Sequence, residues 1–136
     1  MREAVGGSIL FYIILGFLAV YIIFIGVIMN YAATYRASNY VLTKIEQTNA
    51  AVKIGTQSDT KADGTLYGIL KSQNYHNELY VCCSDIGQGN SIYHIRTSVN
   101  FEVPLLDYSQ KIYIKNETKT IYGVTCKDRQ AEYPAC

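Results

Sequence analysis

Gly6–Met29 reads GGSILFYIILGFLAVYIIFIGVIM, an unbroken run of 24 residues without a single charge, in which Ser8 is the only clearly polar side chain. As a helix rising about 1.5 Å per residue it spans roughly 36 Å, enough to cross a ~30 Å hydrocarbon core with some tilt. Lipid offers no partner to a free amide or carbonyl, so such a segment is expected to be helical. A soluble domain of this size has no interior wide enough to bury 24 apolar residues on every face. A cleaved signal peptide has a shorter apolar region, ~7–15 residues, behind several positive charges. Here only Arg2, beside Glu3, precedes the run, and an uncleaved anchor is expected; Ala32 and Ala33 are where a peptidase would otherwise act.

Beyond the run the composition changes. Residues 30–52, NYAATYRASNYVLTKIEQTNAAV, contain no Gly or Pro, so the helix is expected to continue past the membrane surface. Ala33, Tyr40 and Ile45 extend a helical stripe, and Asn49 or Gly55 is the expected stop. Gly16, Ala19, Gly26 and Ala33 form a line of small residues, flanked by Ala37, that suits close helix–helix packing. Tyr31 and Tyr35 fit an aromatic belt at the interface. The chain thus divides into an N-terminal helix, 1–52, membrane-spanning at about 6–29, and a small domain, 53–136.

In the second half Gly55–Gly64 reads as an aperiodic polar loop, and Thr65–Asn74 as a short helix with Leu66, Ile69 and Leu70 on one side. The period then becomes two. In Ser91–Val103, Tyr93, Ile95, Thr97, Val99, Phe101 and Val103 alternate with His94, Arg96, Ser98, Asn100 and Glu102, a strand with one buried and one wet face. Leu79–Cys83 is a shorter strand before it, with Gly87–Asn90 as the turn. Pro104 is expected to end the long strand, Asp107–Ser109 to turn the chain, and Gln110–Thr125 to form the third strand. The expected fold class is α+β: a long helix, then a short helix with a roughly three-stranded antiparallel sheet.

Cys82, Cys83, Cys126 and Cys136 all lie in this small domain, none in the apolar run. An even count in a domain with a modest core points to disulfides and an oxidising compartment. Flanking charges leave the orientation open, with Arg2 on one side and Arg36 and Lys44 on the other, so the cysteines place the domain outside the cytoplasm. Neighbours on a strand face opposite ways, so Cys82 and Cys83 are not expected to pair with each other. Two connectivities remain, and the spacing does not suit zinc.

Nothing in the chain marks an enzyme. His76 lies in a polar loop and His94 on the wet strand face; Asp85 and Glu102 are isolated carboxylates. Gly87-Gln88-Gly89 is a turn rather than a phosphate loop. Asn116-Glu117-Thr118 matches a glycosylation sequon, a triplet common by chance. The net charge of +1 offers no basic face for nucleic acid. No cofactor or metal is expected.

The opening MREAVGGSILFYIILGF, with its short charged lead, small residues and long apolar helix, resembles the TadE-like minor pseudopilins of bacterial tight-adherence systems, a type IV pilin-like family. Val99–Leu105 (VNFEVPL) and Asn116–Ile121 (NETKTI) resemble short membrane proteins found with such systems in Gram-positive bacteria. The likeness covers most of the chain in layout and only these short stretches in residues. It implies a non-catalytic structural subunit of a surface filament or secretion apparatus. The implied partners are the membrane, other pilin-like or assembly-platform membrane proteins, and further copies through the N-terminal helix. The chain departs from the family pattern at one place: five residues after Gly6 or Gly7, where a Glu is typical, stand Phe11 and Tyr12. A single-pass protein whose outer domain binds a ligand or partner is the alternative.

Overall fold

The computed structural model describes residues 2–103 and 106–136. Helix α1, Arg2–Gln47, is continuous over 46 residues, or roughly 69 Å. Among the described residues nothing packs on its apolar first half: Phe17 is 76% exposed and Ile22 67%. One helix is therefore long and apolar enough to cross a membrane. The last third of α1 is different. Thr34, Ala37, Ser38, Val41 and Ile45, spaced three and four apart, are buried against the rest of the chain. The expected stripe was Ala33, Tyr40 and Ile45; Ala33 is exposed and Tyr40 only half-buried. Small residues at 34, 37 and 38 let the sheet come close to the helix, which is why that face was chosen. The boundary drawn at residue 52 separates helix and sheet along the chain but not in space, since Val41, Ile45 and Ala50 belong to the domain core.

The helix stops where Asn49 and Ala50 turn into the left-handed region, with φ of 49° and 58°. The Ala50 amide donates to the Ile45 carbonyl at 2.9 Å, closing the helix end. Ala50 is fully buried, and that packing holds a conformation a non-glycine residue otherwise avoids.

The 55–64 loop is less irregular than expected. Two Thr-x-x-Asp turns follow each other: Asp59 accepts from the amide and hydroxyl of Thr56, and Asp63 from those of Thr60. The second turn brings the Thr60 carbonyl against Gly68, where a Cβ would collide with it. Helix α2, Leu66–Ser72, starts at the Thr65 cap, whose hydroxyl accepts from the Gly68 amide at 3.1 Å. Leu66 and Leu70 are buried and Ile69 half-buried, one side as expected.

Three antiparallel strands follow in the order β1-β2-β3: β1 Leu79–Gly87, β2 Asn90–Val103 and β3 Tyr108–Glu117. The β1–β2 turn is Gln88–Gly89, both at positive φ, which matches the twist of the strands it joins. Strand β1 runs beyond the expected Leu79–Cys83 to a bulge between Asp85 and Gly87. Tyr108 and Ser109, expected in a turn, already pair in β3. Pro104 lies outside the described residues. Strand β3 ends at Glu117 rather than near Thr125, because the register slips by one: His94 pairs with Glu117, but Ser91 with Ile121. At the slip the Thr118 hydroxyl accepts from the Tyr93 amide at 3.0 Å.

One sheet face packs on α1 and α2 through Leu79, Val81, Cys83, Tyr93, Ile95, Thr97, Val99 and Ile114, all buried. Tyr133 joins this core edge-on to Tyr93, ring centroids 5.0 Å apart, and its hydroxyl donates to the Val52 carbonyl. Residues 134–136 run parallel to β1 and shield its free edge: the Cys83 amide donates to the Pro134 carbonyl and the Cys136 amide to the Cys83 carbonyl, both at 2.9 Å.

Candidate functional site

Two surfaces are built and left open: the first half of α1, and the sheet face turned away from the helices. The second carries the chemistry. Strand pairing sets its side chains in rows. Tyr80, Arg96 and Lys115 lie side by side across the three strands, and Cys82, His94 and Glu117 form the next row. Arg96 is held by two aromatic rings, its guanidinium carbon 5.6 Å from the ring centres of both Tyr80 and Tyr113. Lys111 lies 5.8 Å from the other part of this platform, the Tyr113 ring, and pairs with Glu78 at 2.6 Å. That pairing raises the Lys111 ammonium above its ordinary pKa. Tyr80 and Tyr113 remain about half exposed.

Beside this platform lies an open groove of about 590 Å³, lined by Tyr80, Arg96, His94, Lys115, Glu117 and the Cys82–Cys136 disulfide. His94 Nδ1 sits 3.1 Å from Glu117 Oε1, the acidic side chain on the groove's lining among the described residues.

The structure pairs Cys82 with Cys136 and Cys83 with Cys126, one of the two open connectivities. The adjacent cysteines do point to opposite faces. Cys83 ties the 118–126 segment under the core, and Cys82 ties the terminal segment along the groove's rim. Gly16, Ala19, Gly26 and Ala33 are all exposed, with nothing near the position of a Cβ at Gly16 or Gly26. Ala33 sits about 100° around the helix from Thr34, so the small-residue line drifts onto the flank of the face that docks the sheet.

The isolated polar residues have structural occupations. The Asn116 amide donates to Ser38 Oγ at 2.7 Å, so the sequon asparagine is a tether between sheet and helix. Asp85 accepts from the Cys126 amide at 2.8 Å, and His76 Nδ1 lies 3.1 Å from the Asn74 carbonyl. Among the described residues no cluster of His, Cys, Asp or Glu suits a metal. The groove itself is not visible in the sequence. The alternation in β2 places Arg96 on the wet face, but its neighbours across the strands depend on register.

No family model, curated protein or solved structure matches this chain.

Proposed function

We propose that this chain is a non-catalytic, pilin-like structural subunit, anchored by one pass of α1 through the cell membrane, with the disulfide-stapled domain outside the cytoplasm. The observation that carries this reading is the division of labour along one unbroken helix. Thr34–Ile45 forms a wall of the domain core, while the preceding apolar turns are bare on every side. An anchor needs only to cross the bilayer; a subunit that assembles also needs a free helix face and a head rigidly joined to it. The α1–sheet packing and the Asn116–Ser38 bond supply that rigid joint. The TadE-like resemblance of the first residues adds to the same reading, and partners would be further copies or other helices of the same kind. The open groove on the head favours a second reading, a single-pass protein whose outer domain captures a ligand.

Cysteine crosslinking along α1 in intact cells tests the first reading. Contacts through Gly16, Ala19, Gly26 and Ala33 are expected, since small side chains let helices approach closely in lipid. Gly26→Ile is expected to abolish crosslinking while the membrane level of the protein holds. Unchanged crosslinking in that variant would sink the packing role and leave the ligand-capturing reading. Two intact disulfides in natively expressed protein are expected by mass spectrometry; four thiols alkylatable without reduction would refute the outside location.

A further inference from the structure

We propose that the outer sheet face centred on Arg96 and Lys115 binds an acidic saccharide, with a sugar carboxylate on the two cations and a sugar ring against the exposed tyrosine platform. The proposal does not rest on the filament reading.

Arg96 and Lys115 face each other directly across β2 and β3. Like charges in that position repel and weaken a sheet, so the fold here spends stability on holding two cations together. Among the described residues the ion pairs of lysine and arginine are Lys53–Glu132 and Lys111–Glu78, and neither Arg96 nor Lys115 belongs to one. Glu117, two residues from Lys115 along β3 and on the same face, lies 3.1 Å from His94 Nδ1. An anion entering the groove would lie between the two cations and convert the repulsion into attraction.

The site is also prepared in geometry. Flanking by Tyr80 and Tyr113 fixes the guanidinium of Arg96, so little side-chain freedom is lost when it grips a carboxylate with two parallel hydrogen bonds. Arg96 donates no side-chain hydrogen bond among the described residues, so its donors are free for a ligand. The Cys82–Cys136 bridge pins the groove's rim. The half-exposed tyrosine rings distinguish the site from a bare anion hole. Tyr80, the one of the two that lines the groove, brings a half-exposed ring with a hydroxyl at its edge, the shape complement of a sugar's C–H face and its ring of hydroxyls, while Tyr113 holds Arg96 from outside the groove.

The test is calorimetric titration of the full chain in zwitterionic nanodiscs with tri-galacturonic acid, using maltotriose as the uncharged counterpart. The acidic trisaccharide is expected to bind and maltotriose not. Arg96→Gln is expected to weaken binding by at least about tenfold, the loss typical of one charge-assisted pair. Tyr113→Ala, which keeps both cations, is expected to weaken it several-fold. Lys115→Gln is expected to weaken binding and to raise the unfolding midpoint of the unliganded protein, because the repulsion is gone. A purely structural Lys115 would give no such gain. Equal binding of maltotriose, or unchanged affinity in Arg96→Gln, would overturn the proposal. Binding of inorganic phosphate or a tri-glutamate peptide as tight as tri-galacturonate would overturn its saccharide half in favour of a general anion or protein-carboxylate site.

Discussion

Asn116 and Ser38 stand 78 residues apart in the chain, and the amide of the first donates to the hydroxyl of the second at 2.7 Å. Ser38 is fully buried, so this bond sits inside the joint between α1 and β3. Ser38→Ala leaves the half-buried Asn116 amide without its partner and is expected to cost about 1–2 kcal/mol of domain stability. Chemical unfolding in micelles, followed by far-ultraviolet circular dichroism, reads this.

The two disulfides are predicted to differ in weight. Both close long loops, with sequence separations of 54 for Cys82–Cys136 and 43 for Cys83–Cys126. By loop entropy alone each contributes about 4 kcal/mol, too similar to separate them. Burial separates them: Cys83 is 1% exposed inside the core, whereas Cys136 lies at the surface. Replacing Cys83 and Cys126 together by Ala adds a core defect to the lost crosslink. Its thermal midpoint is expected to fall further than that of the Cys82/Cys136 double variant. Equal midpoints would contradict this.

Gly68 gives a reversal of the usual helix rule. In an ordinary exposed helix, Gly→Ala stabilises by up to about 1 kcal/mol. Here the added methyl would run into the Thr60 backbone carbonyl, which cannot move without opening the Thr60–Asp63 turn. Gly68→Ala is expected to destabilise by about 1–3 kcal/mol, the range for overpacking. A thermal melt of the variant beside the parent protein settles the sign.

Alkaline pH is expected to weaken the domain through Tyr75 and Tyr133. Burial pushes the Tyr75 hydroxyl up to about 12, and raises that of Tyr133 as well. Tyr75 donates to the carbonyls of Glu78 at 3.0 Å and Ser98 at 3.3 Å, bonds that need its proton. A folded-state pKa above the unfolded value of about 10 means that the stabilisation is complete below pH ~10 and is lost as pH rises toward 12. Denaturation midpoints across that range should fall steeply in the parent protein. In Tyr75→Phe they should start lower, for want of the two hydrogen bonds, and decline less. On the acid side the sign is opposite. Backbone hydrogen bonds from Thr56 and Thr125 hold Asp59 and Asp128 below the usual carboxylate range, so their contribution is present above pH ~4 and disappears as pH falls below it.

What the sequence determined by itself is whatever depends on neighbours along the chain. Twenty-four uncharged residues make a helix long enough to span a bilayer, whatever follows them. Alternation in β2 separates a core face from a wet face, the Thr65 cap starts α2, and adjacency alone sends Cys82 and Cys83 to opposite sides. Tertiary structure decided everything that depends on which strand lies beside which. The docking face of α1 was set by how closely the sheet could approach Thr34, Ala37 and Ser38, not by the hydrophobicity of Tyr40. The end of β3 was set by a one-residue slip at Thr118, and the disulfide connectivity by which cysteine reaches which face. The meeting of Arg96 with Lys115 is the plainest case. Each is an ordinary wet-face cation in its own strand, and only the β2–β3 register, fixed by burying the opposite face, puts the two charges side by side.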